Sequence, residues 1–438
     1  MVARLAELPE QTEVCNYFVS NYPPYSRWSA DQVPTYELAL ASHANTGPLG
    51  LYVHVPFCRQ RCTYCYFRVH TRRPDDVVDA YVDAVLAELA LYGETPAVGG
   101  RPIANAYFGG GTPTHLSSEQ IRRFLGGLRQ RLDWSKATEV TYECQPGTVD
   151  AEKMNLLKAM GVTRASLGVQ TFSDDVLRGV GRAAGTRDCL EAYDLARHAG
   201  FDHVNLDLMA GLPGETDASW QQTIDRVAEL QPDCVTIYQF ELTHNSALYR
   251  SMKNGRQVLL ADWPTKRRWV SEAFDRLTAD GYTIYGAYWA VRDPRTHRYA
   301  YVTDHYWRGH DLLALGESAF GYLAAHHYQN VDTLDAYVDA ATEGRLPLQR
   351  AYHMSEDERL RRQFILQLKT GMVALEPLRD EFGETRVSQL LTPLAELRDH
   401  GILDYDQQGV FMSREGLLCI DWLLPRFYLP EHQGVRYT

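Results

Sequence analysis

The chain is 438 residues long, 45% hydrophobic and 23% charged, with a formal net charge of −12. That length buries a large core and accommodates more than one domain, and the acidic balance argues against general affinity for a nucleic-acid backbone. No stretch supplies the ~20 apolar residues of a membrane span, and the start, MVARLAELPEQTEV, lacks the apolar core of a secretory signal. A cytoplasmic location without a membrane or nucleic-acid partner is therefore expected.

In chain order, NYFVSNYPPYSRW (16–28) is too rich in proline and aromatics for a regular element and reads as a laid-down arm within residues 1–48. A strand-then-helix rhythm follows across residues 49–290. Strands are expected at LYVHV (51–55), IANAYF (103–108), VTYEC (140–144), RASLGV (164–169), HVNLDLM (203–209) and VTIYQF (235–240). Between them lie helix-like stretches such as DDVVDAYVDAVLAELALYG, SSEQIRRFLGGLRQRL and ASWQQTIDRVAEL; the second opens on a serine cap with Glu119 in its first turn. Short apolar strands alternating with helices imply parallel pairing under helical cover. Six such units predict an α/β fold, a partial (β/α)6 barrel. SEAFDRLTAD (271–280) adds a helix and YTIYG a further strand or antiparallel edge.

Residues 291–350 read as a connecting segment that covers the site. In 351–438, ERLRRQFILQLKTG and VSQLLTPLAELRDHGIL read as amphipathic helices and DYDQQGVFMS as a hairpin, the order of a small, mostly helical, winged-helix-like domain. Acidic overall charge favours lid or scaffold duty there over DNA binding.

Of eight cysteines, Cys15, Cys144, Cys189, Cys234 and Cys419 stand alone and read as buried thiols. Cys58, Cys62 and Cys65 instead crowd into CRQRCTYC, directly after LYVHVPF. A disulfide would use two of them, and a zinc site would borrow a fourth ligand such as His54 or His70. An iron–sulfur cube fits better: three thiolates leave one of four irons open to a small molecule. The triad also follows the C-terminal end of the first strand, where (β/α) sites assemble.

Further motifs surround that mouth. The glycines of YFGGGTPTHL (107–116) let backbone approach a ligand and turn N–H groups toward a carboxylate, although a bare turn explains the same letters. Glu143 ends a strand where its carboxylate could accept both hydroxyls of a ribose. Gln170 and Arg182 could grip a carboxylate together, or Arg182 could cap a helix end. Asp207 lies inside an apolar strand, where a carboxylate needs a partner. Tyr52 and Phe67 flank the thiols.

CRQRCTYC preceded by YVHVPF resembles the signature of radical S-adenosylmethionine (SAM) enzymes. Over roughly residues 50–420 the chain is similar to the branch of oxygen-independent coproporphyrinogen III dehydrogenase. The resemblance implies a [4Fe–4S] cluster on Cys58, Cys62 and Cys65, with SAM chelating the fourth iron and cleaved to methionine and a 5′-deoxyadenosyl radical. It implies that Gly110, Gly111 and Thr112 meet the methionine part of SAM and that Glu143 binds its ribose. Gln170, Arg182 and Asp207 complete the SAM contacts, with Tyr52 and Phe67 packed alongside. A flavodoxin- or ferredoxin-type electron donor follows.

Three outcomes compete within that branch: decarboxylation of coproporphyrinogen propionates, haem carriage by a chaperone, and methylation or cyclopropanation by class C radical SAM methyltransferases. The dehydrogenases carry an extra Cys two residues after the triad, where Phe67 stands. The chaperones show His-Asn-x-x-Tyr-Trp, where this chain reads VTDHYW (302–307), with Val302 and Thr303 replacing His and Asn and His305 at the wrong interval. The arm, with Tyr22, Tyr25 and Trp28, suits a flat substrate. The expectation is accordingly a C-methyltransferase or cyclopropane synthase of natural-product biosynthesis, acting on an unsaturated or aromatic small molecule with two SAM molecules in one cavity. Glu241, with Tyr238 and Gln239, is the expected proton-handling group beside the second sulfonium.

Overall fold

A computed structural model describes residues 18–434; Cys15 and the first residues of the arm fall outside that range. The chain forms β1 (Leu49–Val55) and a two-residue parallel ribbon of β2 (Phe57–Cys58) and β3 (His70–Thr71). It then delivers β4 (Ile103–Gly110), β5 (Glu139–Cys144), β6 (Arg164–Gln170), β7 (His203–Ala210) and β8 (Cys234–Gln239), separated by helices that include Asp75–Gly93, Ser118–Arg131 and Asp217–Leu230. These six long strands pair in parallel in the order β1-β4-β5-β6-β7-β8. The structure is thus the expected α/β radical SAM barrel, with each strand within two residues of its sequence-derived bounds.

The sheet is wider than six strands. β9 (Thr283–Tyr285) and β10 (Trp289–Val291) add an antiparallel edge beside β8. On the other side β11 (Leu312–Leu315) pairs in parallel with β1, and β12 (Phe320–Leu323), β13 (His326–Asn330) and β14 (Leu348–His353) extend it as an antiparallel meander. Residues 291–350, expected as a connecting cover, therefore build much of a twelve-stranded mixed sheet.

Strand alternation decides what each face does, because successive side chains point to opposite sides. One set is apolar and buried: Leu51, Val53 and Val55 on β1, Ala106 and Phe108 on β4, Ala165, Leu167 and Val169 on β6, Val204, Leu206 and Leu208 on β7. These pack under the helices in one continuous core. The other set is polar: Tyr52 and His54, Asn105 and Tyr107, Thr141 and Glu143, Arg164 and Ser166, Asn205 and Asp207, Thr236 and Tyr238. In the sheet register Glu143 lies opposite Ser166, Ser166 opposite Asn205 and Asp207 opposite Thr236, so one layer of hydrogen-bonding groups crosses the barrel interior.

Beyond the barrel, helix Glu356–Leu368 opens on a capping box made by Ser355 and Glu358. The single helix expected over 387–403 is two, Glu384–Leu390 and Leu394–Asp399. Pro393, which has no N–H to donate, stands between them. β15 (Met372–Ala374), β16 (Leu403–Tyr405) and β17 (Gly409–Met412) close the unit as a small antiparallel sheet.

The arm is built into this second core rather than laid over it. Tyr22 is fully buried, stacks on Tyr428 at 4.9 Å, and its hydroxyl pairs with His432 Nδ1 at 2.8 Å. Trp28 stacks on His327 at 4.8 Å. Lys369 Nζ donates to the carbonyl of Val19 at 2.5 Å and pairs with Asp421 Oδ1 at 2.6 Å, while the Val19 N–H donates to that same Oδ1 at 2.9 Å. Tyr25 packs on Trp28 and Phe320, with ring centres 4.8 and 4.4 Å apart, so the expectation that Tyr22, Tyr25 and Trp28 cover a substrate is corrected: their rings are spent on internal packing. No described helix is long and apolar enough to cross a membrane.

Candidate active site

The three thiols ride on the ribbon and the loop after it. Cys58 is buried on β2, held opposite Thr71, and its Sγ lies 3.3 Å from Thr112 Oγ1. Cys62 and Cys65 are half-buried, linked by the Cys65 N–H donating to the Cys62 carbonyl. All three are free of disulfides. Burial pushes the Cys58 thiol up to about 12 and raises Cys65 as well, so a metal that binds these two sulfurs must displace their protons.

Of the residues a zinc site would borrow, His70 is bonded through Nε2 to Glu317 at 2.7 Å, and His54 is bonded through Nδ1 to the Tyr52 hydroxyl at 2.9 Å, its buried Nε2 having no hydrogen-bond partner among the described residues. Among the described residues no three His, Cys, Asp or Glu side chains meet at one point, as a mononuclear site requires. Thiolates that each serve a different iron of a cube need no common point, so the donor set fits a [4Fe–4S] cluster.

The glycine segment is a cradle of a different kind from the one expected. The Gly110 N–H donates to Glu143 Oε2 at 3.1 Å and the Gly111 N–H to the Val55 carbonyl at 2.9 Å. Neither is left to face a ligand carboxylate. A Cβ on Gly110, where φ is +109°, would lie 2.4 Å from the His54 ring, and one on Gly111 would lie 2.8 Å from the carbonyls of Val55 and Phe57. These positions need glycine because two strand ends close on each other there. Thr112 is buried and bridges Cys58 to Gln145, donating to Gln145 Oε1 at 2.7 Å.

Glu143 accepts from the Tyr107 hydroxyl at 2.5 Å besides Gly110, and burial raises its carboxyl to about 7. Asp207 is fully partnered: Ser166 donates to Oδ2 and Asn205 to Oδ1, each at 2.9 Å. Burial still raises it, with Arg164 opposing. Gln170, at φ +72°, sits where the β6–β7 register slips, and its amide and the Arg182 guanidinium converge over Gly168. Arg182 donates to the Gly168 carbonyl and reaches the Tyr64 hydroxyl at 3.4 Å, so it does not cap a helix end.

Tyr52, Tyr107 and Tyr301 form a stacked series, with ring centres 6.1 and 5.2 Å apart. Tyr238 and Glu241 stand where the arm begins: the Phe18 ring meets Tyr238 edge-on at 6.2 Å, and the Phe18 N–H donates to Glu241 at 3.2 Å. Gln239 is turned away and donates to the Leu418 carbonyl at 2.9 Å. Phe67 is 42% exposed and stacks on Tyr66. Tyr64, beside Arg182, takes the inner place expected of Phe67. Tyr64, Tyr66 and Tyr107 were not singled out in the sequence; the polar alternation on β4 marks Tyr107.

Thiol triad, glycine cradle and parallel barrel together define a radical SAM enzyme, and residues 52–227 match the Radical SAM superfamily. The Escherichia coli coproporphyrinogen III oxidase HemN has a solved structure similar at a TM-score of 0.80, with 28% identity over 94% of this chain and 96% of that one. An oxygen-independent coproporphyrinogen III oxidase of Bradyrhizobium diazoefficiens is 32% identical over 354 residues, 78% of this chain and 75% of that protein. The heme chaperone HemW of Bacillus subtilis is 28% identical over 84% of this chain and 96% of its own length. The chain belongs to the oxygen-independent coproporphyrinogen III oxidase family, and its radical SAM domain binds a [4Fe–4S] cluster.

That membership overturns the expected closeness to methyltransferases and cyclopropane-forming enzymes of natural-product biosynthesis. The expectation rested on the aromatic arm, on the altered segment VTDHYW and on Phe67 standing in place of a Cys. That position is an exposed ring on the loop, whereas the likeness to the oxidase spans nearly the whole chain.

Proposed function

We propose that this enzyme oxidatively decarboxylates propionate side chains of coproporphyrinogen III or a closely similar tetrapyrrole. The likeness to HemN over 94% of this chain and 96% of that one carries the reading. The tyrosine-lined mouth supports it, since stacked aromatic faces suit a broad, flat ring system.

Cys58, Cys62 and Cys65 would hold the cluster, and Glu143, Gln170, Arg182 and Asp207 would orient SAM. When bound, cluster and SAM would supply a 5′-deoxyadenosyl radical able to take a hydrogen atom from the propionate β-carbon, the one attached to the pyrrole. A propionate, CH2–CH2–COO−, becomes a vinyl group on losing one hydrogen atom to that radical, CO2, and one electron to a separate one-electron acceptor. The chain's own contribution is to orient the side chain and exclude water. The expected pair of SAM molecules has a new use here: one is consumed per propionate, so a second would serve the next side chain. Glu241 and Tyr238, at the same mouth, are proposed to face the tetrapyrrole rather than a second sulfonium.

Mass spectrometry of tetrapyrroles, after anaerobic incubation of the reduced, cluster-loaded protein with SAM and coproporphyrinogen III, tests the reading. Loss of CO2 with vinyl formation is expected. An unchanged tetrapyrrole together with tight haem binding would favour the HemW-like reading. Against that carrier role, His305 is buried and its Nε2 is bonded to the Asp311 carbonyl at 2.6 Å.

Glu143 gives a pH-dependent prediction. Its carboxyl must be ionised to accept two hydroxyls, and burial raises it to about 7. SAM affinity should therefore climb as pH rises through 7, whereas folding stability falls over the lower interval from about 4.5 to about 7, where the unfolded chain ionises this group and the folded one does not. Glu143→Gln should flatten the climb and raise the KM for SAM ~10- to 100-fold, with the cluster spectrum unchanged. Titration of SAM binding between pH 6 and 8 reads both effects.

A further inference from the structure

Residues 58–74, CRQRCTYCYFRVHTRRP, hold five arginines and no Asp or Glu, in a chain of net charge −12. Two of the five have partners: Arg61 donates to the carbonyls of Cys65 and Phe67, and Arg68 pairs with Asp332 at 2.6 Å. Arg59, Arg72 and Arg73 are exposed and make no hydrogen bond or ion pair with any described residue.

All three leave the same end of the ribbon: β2 and β3 run parallel with Phe57 opposite His70 and Cys58 opposite Thr71, Arg59 follows directly after Cys58, and Arg72 and Arg73 follow directly after Thr71. Arg72 also holds φ at +57°, a region that L side chains other than Asn and Asp seldom occupy. The His70–Glu317 pair, with Glu317 fully buried, fastens the ribbon from beneath. The acidic residues next in sequence, Asp75 and Asp76, lie in the first turn of a helix, where its dipole favours them. Exposed like charges gathered at one end of a ribbon, without a partner among the described residues, are a cost that an anionic surface would relieve.

We propose that Arg59, Arg72 and Arg73 form the docking surface for an acidic one-electron carrier protein, which reduces the cluster through the Cys58 ribbon. This rests on the cluster reading of the three thiols. Radical generation consumes an electron per SAM cleaved, and Arg59 is bonded directly to the ligand Cys58. An acidic enzyme and an acidic carrier repel each other overall, so productive encounter needs a local patch of opposite sign beside the point of electron entry.

The probe is a flavodoxin of net negative charge, applied to cluster-loaded protein. Calorimetry at low salt reads its binding and stopped-flow spectroscopy reads cluster reduction, with dithionite reduction of the same samples as reference. The double variant Arg72→Glu/Arg73→Glu should weaken flavodoxin binding and slow flavodoxin-driven reduction ~tenfold or more. Dithionite should still reduce its cluster completely, and Arg72→Lys/Arg73→Lys should restore most of the rate. The wild-type rate should fall as salt rises. Flavodoxin binding and rates unchanged in the glutamate variant overturn the proposal. Normal flavodoxin kinetics with weakened coproporphyrinogen III binding also overturn it and assign the arginines to substrate. Failure of the underlying cluster reading is seen separately, as a wild-type absorption spectrum without a cluster before flavodoxin is added.

Discussion

Replacing Cys58, Cys62 or Cys65 with alanine should abolish the [4Fe–4S] absorption after anaerobic reconstitution and reduce SAM cleavage to background. The effect is all or nothing because each thiolate serves a separate iron, and the loop contains no substitute donor. His54 and His70, the nearest alternatives in sequence, are held by Tyr52 and Glu317. Cys144, Cys189, Cys234 and Cys419 are buried on other elements. Their alanine variants should retain the cluster, which separates ligation from general loss of thiols. Cys58→Ala should be the most severe for the cradle as well, because its Sγ also meets Thr112. Iron and sulfide content, with the visible spectrum, measures the first effect; 5′-deoxyadenosine formed under dithionite measures the second. A variant of any of the three that keeps a normal cluster would remove that residue from the ligand set.

Asp421→Ala should be the most destabilising single change outside the barrel. Lys369 is fully buried and Asp421 is its counter-ion at 2.6 Å, with Tyr288 donating to the other carboxylate oxygen. Removing the carboxylate leaves a buried ammonium, the Val19 N–H and the Tyr288 hydroxyl short of an acceptor. The cost of breaking such a pair is about 3–5 kcal/mol. Replacing both partners, as in Lys369→Met/Asp421→Leu, should recover much of the loss, since an apolar pair avoids the stranded charge. Chemical denaturation of the three proteins checks the sign and the recovery. Val19 uses both backbone groups on this pair, so the single variant should also expose the arm to proteolysis near residue 18 while the double variant protects it less fully than wild type.

The barrel was readable because its strands are short apolar runs bounded by helices, and the capping residues Ser117 and Thr216 stand where the helices start. The meander of β12 and β13 was not readable. Its hairpin turns at Ala324 and Ala325, both with positive φ, where glycine or asparagine would have announced the turn. The thiol triad was legible from spacing alone. The glycine segment was legible as a place of close approach, but not in its detail: only the fold reveals that Gly110 and Gly111 donate their N–H groups to Glu143 and Val55. Tyr107 and Ser166 carry a polar alternation visible in the letters. Their meeting with Glu143 and Asp207 depends on strand order, which no local pattern encodes. Phe67, VTDHYW and the aromatic arm misled because a few local features were weighed against a likeness that covers 94% of the chain.

The most direct measurement uses coproporphyrinogen III deuterated at the β-carbons of its propionates, given with SAM to the reduced, cluster-loaded enzyme. Deuterium should appear in 5′-deoxyadenosine in step with release of CO2 and growth of vinyl product. Unlabelled 5′-deoxyadenosine, or a tetrapyrrole that keeps every deuterium and every carboxylate while SAM is consumed, would contradict the account.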